Sequence, residues 1–202
     1  MNEIVGNPVL LVIDIQKDGL MPGGSTGIPL MPGFPALVGR SARVLAAARR
    51  AGVPVIFFLE EHRASGIDIG RELDGTESMH CVEGAAGTAL VDELQPSGDR
   101  EFFVKKRRYS CFIGTELDIL LRALRAETLI LIGCLTDVCV HYTAADAHQR
   151  DYVIRVLEDC VLGSSEAAHR ASLNAITYLQ RDAVVPSTIM LEALGSLAGA
   201  SA

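Results

Sequence analysis

Short, unbroken apolar runs alternate with stretches whose apolar residues recur every three to four positions, from residue 9 to residue 185. Residues 9–15 (VLLVIDI), 53–59 (VPVIFFL) and 128–133 (TLILIG) are β-branched or aromatic and too short for helices, so they predict buried strands. Residues 101–104, 152–157 and 183–185 predict three more, the last of them short. Between them, residues 35–51, 115–125, 137–150 and 165–181 predict amphipathic helices, with a short helix at 88–94 and another at the end. In 115–125, Leu117, Leu120, Leu121 and Leu124 carry the core spacing. Gly52 closes the first helix.

Strands apolar along their whole length and alternating with helices predict an α/β fold: a doubly wound, mostly parallel six-stranded sheet with helices on both faces. No linker, repeat or low-complexity block divides the chain, which reads as one domain over residues 1–202 with its core at about 8–190. In such sheets ligands bind at the carboxyl ends of strands, where the strand order reverses. Three residues at predicted strand ends stand out: Asp14 in LLVIDIQ, Lys106 in FFVKKRRYSCF and Cys139 in GCLTDVCVHYTAADAH. Thr136 and Asp137 suit a helix N-cap, which would put Cys139 in the first helical turn.

Composition narrows the classes. The formal net charge is −7, which argues against a nucleic-acid surface, and the basic cluster from Lys105 to Arg108 is too short to reverse it. No apolar run approaches the roughly 18 residues a membrane span needs. The opening MNEIVGNPVLLVIDIQ runs straight into a strand pattern with no basic segment ahead of it, so no secretory signal is expected. Five cysteines without a CxxC pair suggest free thiols in a reducing compartment, and a cytoplasmic location is expected.

The chemistry these parts allow is acyl transfer. A thiol near a helix N-terminus and an ammonium is favoured as thiolate; opposite charges about 4 Å apart interact by roughly 4 kcal/mol at an effective dielectric of about 20. On that arithmetic the thiolate of Cys139 is expected to dominate at neutral pH, with Asp14 as general base. Each residue also has an ordinary structural reading: a helix cap for Asp14, a solvated lysine, a packed cysteine.

VIDIQ, KKRRYSCFIGTELD and GCLTDVCVHYTAADA, in that order and spacing, resemble the motifs of the isochorismatase-like cysteine hydrolases. The resemblance runs from about residue 9 to residue 185. It implies a catalytic Asp14, Lys106 (chosen over Lys105 by the K-x-x-Y-S spacing) and Cys139. It also implies a cis peptide bond between Cys134 and Leu135, and an oxyanion hole from the backbone N–H groups of Leu135 and Cys139. The implied reaction is attack of Cys139 on an amide or ureide carbon, release of ammonia or an amine, and hydrolysis of the thioester. Gln16, Glu60, Tyr109 and Phe112 are then expected in the substrate pocket, whose walls would be the loops at 25–35 and 62–84. The substrate would be a small ureido, carbamoyl or linear amide, and self-association into a homo-oligomer is expected.

Two branches of that family are resembled at once. Gly23-Gly24-Ser25, Glu60-Glu61-His62 and the HCVEG stretch from His80 are similar to nicotinamidases, whose Asp and histidines hold a divalent metal. On that reading Glu60, His62 and His80 would bind zinc, iron or manganese. The segment EEHRASGIDIGRELDG instead resembles the ureide and biuret-type branch, which needs no metal, and this reading ranks first. A non-catalytic binding module ranks last, because all three catalytic positions are intact. His141, His148 and His169 read as surface or packing residues.

Overall fold

The computed structural model describes residues 4–21, 27–75 and 77–200. Six strands, β1 (Asn7–Ile13), β2 (Val55–Glu60), β3 (Glu101–Lys106), β4 (Ala126–Cys134), β5 (Val153–Leu162) and β6 (Val184–Val185), form one sheet in the order β3-β2-β1-β4-β5-β6. All five pairings are parallel, where the sequence pattern required only most of them to be. The chain winds outward from β1 to β3, returns to the centre at β4 and winds out again. The reversal lies between β1 and β4.

Alternation along β1 divides the core in two. Leu10 and Val12 face α1 (Phe34–Arg50) and α5 (Ser187–Ala200), packing with Leu37, Leu45, Met190 and Leu194. Val9, Leu11 and Ile13 face the other side, where Leu117 and Leu121 of α2 (Leu117–Ala123), Ala144 of α3 (His141–His148) and Ile176 of α4 (Glu166–Leu179) close the layer. Central strands buried on both faces are why their sequences are continuous apolar runs. Among the described residues no helix is long and apolar enough to cross a membrane.

Several elements differ from the sequence expectation, each for a visible reason. Residues 88–94 form only one 3-10 turn, Asp92–Leu94, because the chain before it is held extended: Lys17 N–H donates to Ala89 O at 2.8 Å and Val91 N–H to Ile15 O at 3.1 Å. The helix expected at 137–150 begins instead as a π-helical turn, Thr136–Val140, followed by α3. Thr136 and Asp137 do not cap it. Asp137 Oδ1 and Oδ2 accept from Ser164 N–H (2.8 Å) and Oγ–H (2.6 Å), while Thr136 Oγ1 meets His169 Nδ1 at 2.9 Å. Lys106 does not follow the third strand but is its last residue. Gly23-Gly24-Ser25 lie outside the described residues.

The strand ends are built around close backbone approaches. At Gly133, near the end of β4, φ is +139° and a Cβ would stand 1.9 Å from Ile13 O of β1. Only glycine lets these two strands meet there. One residue further along β1, Asp14 leaves the ladder with φ +50°. Gly133→Ala is therefore expected to destabilise the protein by about 3 kcal/mol or more, read as a fall in the urea midpoint; an unchanged midpoint would contradict the packing described.

Candidate active site

The carboxyl ends of β1, β2, β3 and β4 converge at the reversal point. Parallel pairing sets Glu60, the last residue of β2, opposite Lys106, the last of β3. Strand alternation then separates the two adjacent lysines. Lys105 points outward and pairs with Glu61 at 2.6 Å, whereas the Lys106 side chain has no exposed surface. Its ammonium lies 2.8 Å from Asp14 Oδ2 and 3.3 Å from Cys139 Sγ, and it also pairs with Glu60 Oε2. Asp14 is tied down in turn, since its Oδ1 accepts from Glu60 N–H at 2.8 Å. Ligating atoms of Asp14, Glu60 and Cys139 all fall within 4.8 Å of one another.

Glu60 lines the cavity, as expected, and its side chain also reaches the sulfur. The thiol of Cys139 donates to Glu60 Oε2 at 3.5 Å. Two carboxylates thus share one lysine and one thiol, and their environments differ. Burial pushes Asp14 up to about 6, against the lowering pull of Lys106 and with further lifting by Glu60. Burial also acts on Glu60, but Lys106 and the imidazoles of His62 and His80 outweigh it and hold that carboxyl well below the usual range. Two carboxyls split in this way take different roles: Asp14 can exchange a proton near neutral pH, and Glu60 stays charged.

The thiolate expectation needs correction. Burial raises the Cys139 thiol well above its ordinary value; Lys106 opposes this, while Glu60 and Asp14 add to it. The loss of water and the two carboxylates outweigh the ammonium and helix terminus on which the sequence expectation rested. Lys106 itself is held well above the ordinary lysine value: burial lowers it, and Asp14, Cys139 and Glu60 together overcome that. The resting site is therefore an ammonium, two carboxylates and a neutral thiol with a base beside it.

A cavity of about 590 Å³ opens onto this cluster. Gln16, Tyr109, Leu135 and Cys139 line it. Gln16 is fixed by donating to Glu60 O (3.0 Å) and Thr88 O (2.7 Å), and Tyr109 stacks on Tyr142 with ring centres 6.0 Å apart. Phe112, expected in the pocket, does not line it. Its ring is buried beneath the Arg150 guanidinium, 4.4 Å from the centroid, and stacks with Tyr152. The peptide bond between Cys134 and Leu135 is cis. Residues 27–35 form one wall and Glu77, His80 and Cys81 another, so both loops named from the sequence contribute.

Beside the lysine cluster lies a second one that sequence reasoning only partly found. His62 Nε2 is 3.5 Å from Glu60 Oε1 and 3.4 Å from Glu72 Oε2; His80 Nε2 is 3.3 Å from each of the same two oxygens. One ligating atom from each of Glu60, His62, Glu72 and His80 lies within 4.8 Å of all the others, and all four residues are buried. Glu72 was missed. It stands ten positions after His62 in a charged loop, and only the loop's return brings it in. Both nitrogens of His62 and both oxygens of Glu72 are buried without a hydrogen bond of good geometry among the described residues. Burial pushes the imidazoles down, but Glu60 and Glu72 raise them to about 9 and about 10 for His62 and His80. The pair of carboxylates demands positive charge at this point, as two protons or as one divalent ion. Two imidazoles and two carboxylates fit zinc, iron or manganese.

His141 and His169 are tethers of the turn that carries Cys139: His141 Nδ1 meets Ser172 Oγ at 2.9 Å, and that hydroxyl donates to Thr136 O at 2.8 Å. His148 lies outside the cavity, 3.2 Å from the Gln180 amide.

Residues 8–189 match the profile of the isochorismatase domain family. The chain is 34% identical over 185 residues to ureidoacrylate amidohydrolase RutB of Methylobacterium radiotolerans, covering 81% of this chain and 70% of that protein. It is 30% identical over 172 residues to a probable inactive nicotinamidase of Arabidopsis thaliana, covering 83% and 86%. The crystal structure of N-carbamoylsarcosine amidase from Thermoplasma acidophilum superposes with a TM-score of 0.74 at 30% identity, covering 90% of this chain and 97% of that one.

Removing the shared cation tests the electrostatics directly. Lys106→Met leaves Asp14 and Glu60 buried without their common counter-charge, and a loss of about 3–5 kcal/mol is expected in urea unfolding. Combining it with Asp14→Asn and Glu60→Gln should restore much of that loss; a single variant as stable as the parent would contradict the ion cluster.

Proposed function

The chain belongs to the isochorismatase domain family, and from that premise we propose that it hydrolyses amide or ureide C–N bonds of small non-peptide substrates, with Cys139 as nucleophile. The observation that carries this reading is the Lys106 ammonium held 3.3 Å from the Cys139 sulfur and 2.8 Å from Asp14 at the floor of the cavity. A non-catalytic binding module has no comparable support, since nothing in a binding role calls for a buried lysine spent on a thiol.

The reaction follows from the charge states. Asp14 takes the thiol proton as the sulfur approaches the carbonyl carbon, and Lys106 balances the thiolate that forms. The carbonyl oxygen becomes an anion, stabilised by the backbone N–H groups of Leu135 and Cys139 in the tight turn after β4. Asp14 returns the proton to the leaving nitrogen, the C–N bond breaks, and ammonia or an amine departs. Water then gives a proton to Asp14 and adds to the thioester. The sulfur leaves and recovers its proton, so one water is consumed for each bond cleaved. Glu60 keeps its charge throughout and holds Lys106 in place.

A second reading adds a divalent metal held by Glu60, His62, Glu72 and His80, favoured by the buried imidazole and carboxylate atoms that lack hydrogen bonds. Such an ion would supply a Lewis-acid centre at the edge of the cavity, able to anchor a lone-pair donor of the substrate. The chain's own residues carry the covalent steps in either case.

Ammonia release from a panel of biuret, ureidoacrylate, N-carbamoyl amino acids, maleamate and nicotinamide tests the activity. Cys139→Ala should lower kcat by a factor on the order of 10³ or more, and intact-mass analysis should catch an acyl adduct on Cys139 in the parent. kcat/KM is expected to rise with pH through about 6 as Asp14 ionises, then to stay level past neutrality because Lys106 keeps its proton. A flat profile from pH 5 to 7 would remove Asp14 from the role of base. For the metal, elemental analysis should find about one zinc, iron or manganese per chain, fewer in Glu72→Gln. Adding ion at about a thousand times its Kd to chelated protein should raise stability by about 4 kcal/mol. Chelated protein whose melting is unmoved by all three ions would rule the metal out.

A further inference from the structure

The amide-hydrolase reading leaves the substrate class open, and the walls of the cavity narrow it. Asp14, Asp18, Glu60 and Glu77 line the cavity, and among the described residues no arginine or lysine does. The sequence itself holds no basic residue between Lys17 and Arg40, and residues 27–35 of that stretch form one wall.

The cations nearby are already committed. Lys106 spends itself on Asp14, Glu60 and Cys139. His80 turns Nε2 toward Glu60 and Glu72, with Glu77 Oε2 at 3.9 Å, and Nδ1 onto Ser78 O at 2.8 Å. Arg107 is paired to Asp68 at 2.8 Å, Arg108 donates to the Asp68 carbonyl at 2.6 Å, and Arg71 is paired to Asp74 at 2.6 Å. None of these guanidinium groups reaches the cavity lining. The rest of the lining is apolar: Ile28, Leu30, Met31, Phe34, Leu135 and Val138. A substrate carboxylate would lose its water here, find the nearby cations already paired and face like charges, which is the arrangement that rejects a ligand.

We propose that the cavity takes carboxamides whose body is apolar and carries no negative charge, and that Asp18 and Glu77 act as specificity residues by excluding substrates that bear a carboxylate. This separates the chain from relatives whose names denote acidic substrates, ureidoacrylate and N-carbamoylsarcosine. The proposal rests on the reading of Cys139 as the reacting group, but it can be tested without turnover.

Iodoacetamide and iodoacetate are nearly equal in size and differ in charge. The full-length protein is treated with each at pH 8, and modification of Cys139 is followed by peptide mass spectrometry, with free cysteine treated in parallel. The preference of Cys139 for the neutral reagent is expected to exceed that of free cysteine at least tenfold, and to narrow several-fold in the Asp18→Asn/Glu77→Gln double variant. A ratio at or below that of free cysteine would overturn the proposal.

If Cys139 reacts with neither reagent, its role as nucleophile is lost, and binding decides the charge rule alone. For this arm, equilibrium dialysis of Cys139→Ala compares 4-nitrobenzamide with 4-carbamoylbenzoate, whose nitro and carboxylate groups share one shape. The nitro compound should bind at least tenfold tighter. Equal or tighter binding of the carboxylate, or no binding of the nitro compound, defeats the proposal.

Discussion

One buried ammonium organises this site. Lys106 has no contact with solvent, and a lysine in that position is tolerated only if its charge is matched and its protons are accepted. Asp14, Glu60 and the Cys139 sulfur supply the three partners, each from a different strand or turn. Their mutual distances are therefore set by the sheet and not by any local loop. The same crowding that burdens the folded state gives its groups their properties: Asp14 is lifted toward neutrality, Glu60 is held ionised and the thiol is pushed toward its protonated form.

Glu60 joins two chemistries. One oxygen faces Lys106 and the thiol, and the other faces His62 and His80. A shorter carboxylate at the same backbone position would have less reach to serve both. The full length of the glutamate side chain lets one residue bridge the clusters. Any change to Glu60 should therefore disturb the lysine and the histidines together, and effects at the two clusters are not expected to add independently.

The shape of the sheet explains why these residues meet. Strand order reverses between β1 and β4, so the turns that follow them diverge to opposite faces and leave a crevice. Gly133 allows those two strands to close at the crevice floor, and Asp14 leaves its ladder at that same level. The π-helical turn carrying Cys139 is pinned from behind by Asp137 with Ser164 and by Thr136 with His169. These polar residues fasten the turn to α4 and the loop before it, where their sequence had suggested helix caps.

The alternation of apolar runs and amphipathic stretches was enough to determine six strands, most of their wrapping helices and the class of sheet, because burial on both faces writes itself into every residue of a central strand. That Asp14, Lys106 and Cys139 would meet was legible for a related reason: a charged or polar group at the end of such a strand conflicts with its surroundings unless it finds partners. The partition of roles among the charges was not legible. Whether a thiol is ionised depends on every charge and every lost water around it, and Glu60 was not known to stand beside the sulfur. Glu72, the burial of Phe112 and a cavity whose described lining is acidic and holds no arginine or lysine belong to the same kind of fact. They arise from contacts between segments ten to eighty residues apart, for which a linear pattern carries no signal, and only the folded chain decided them.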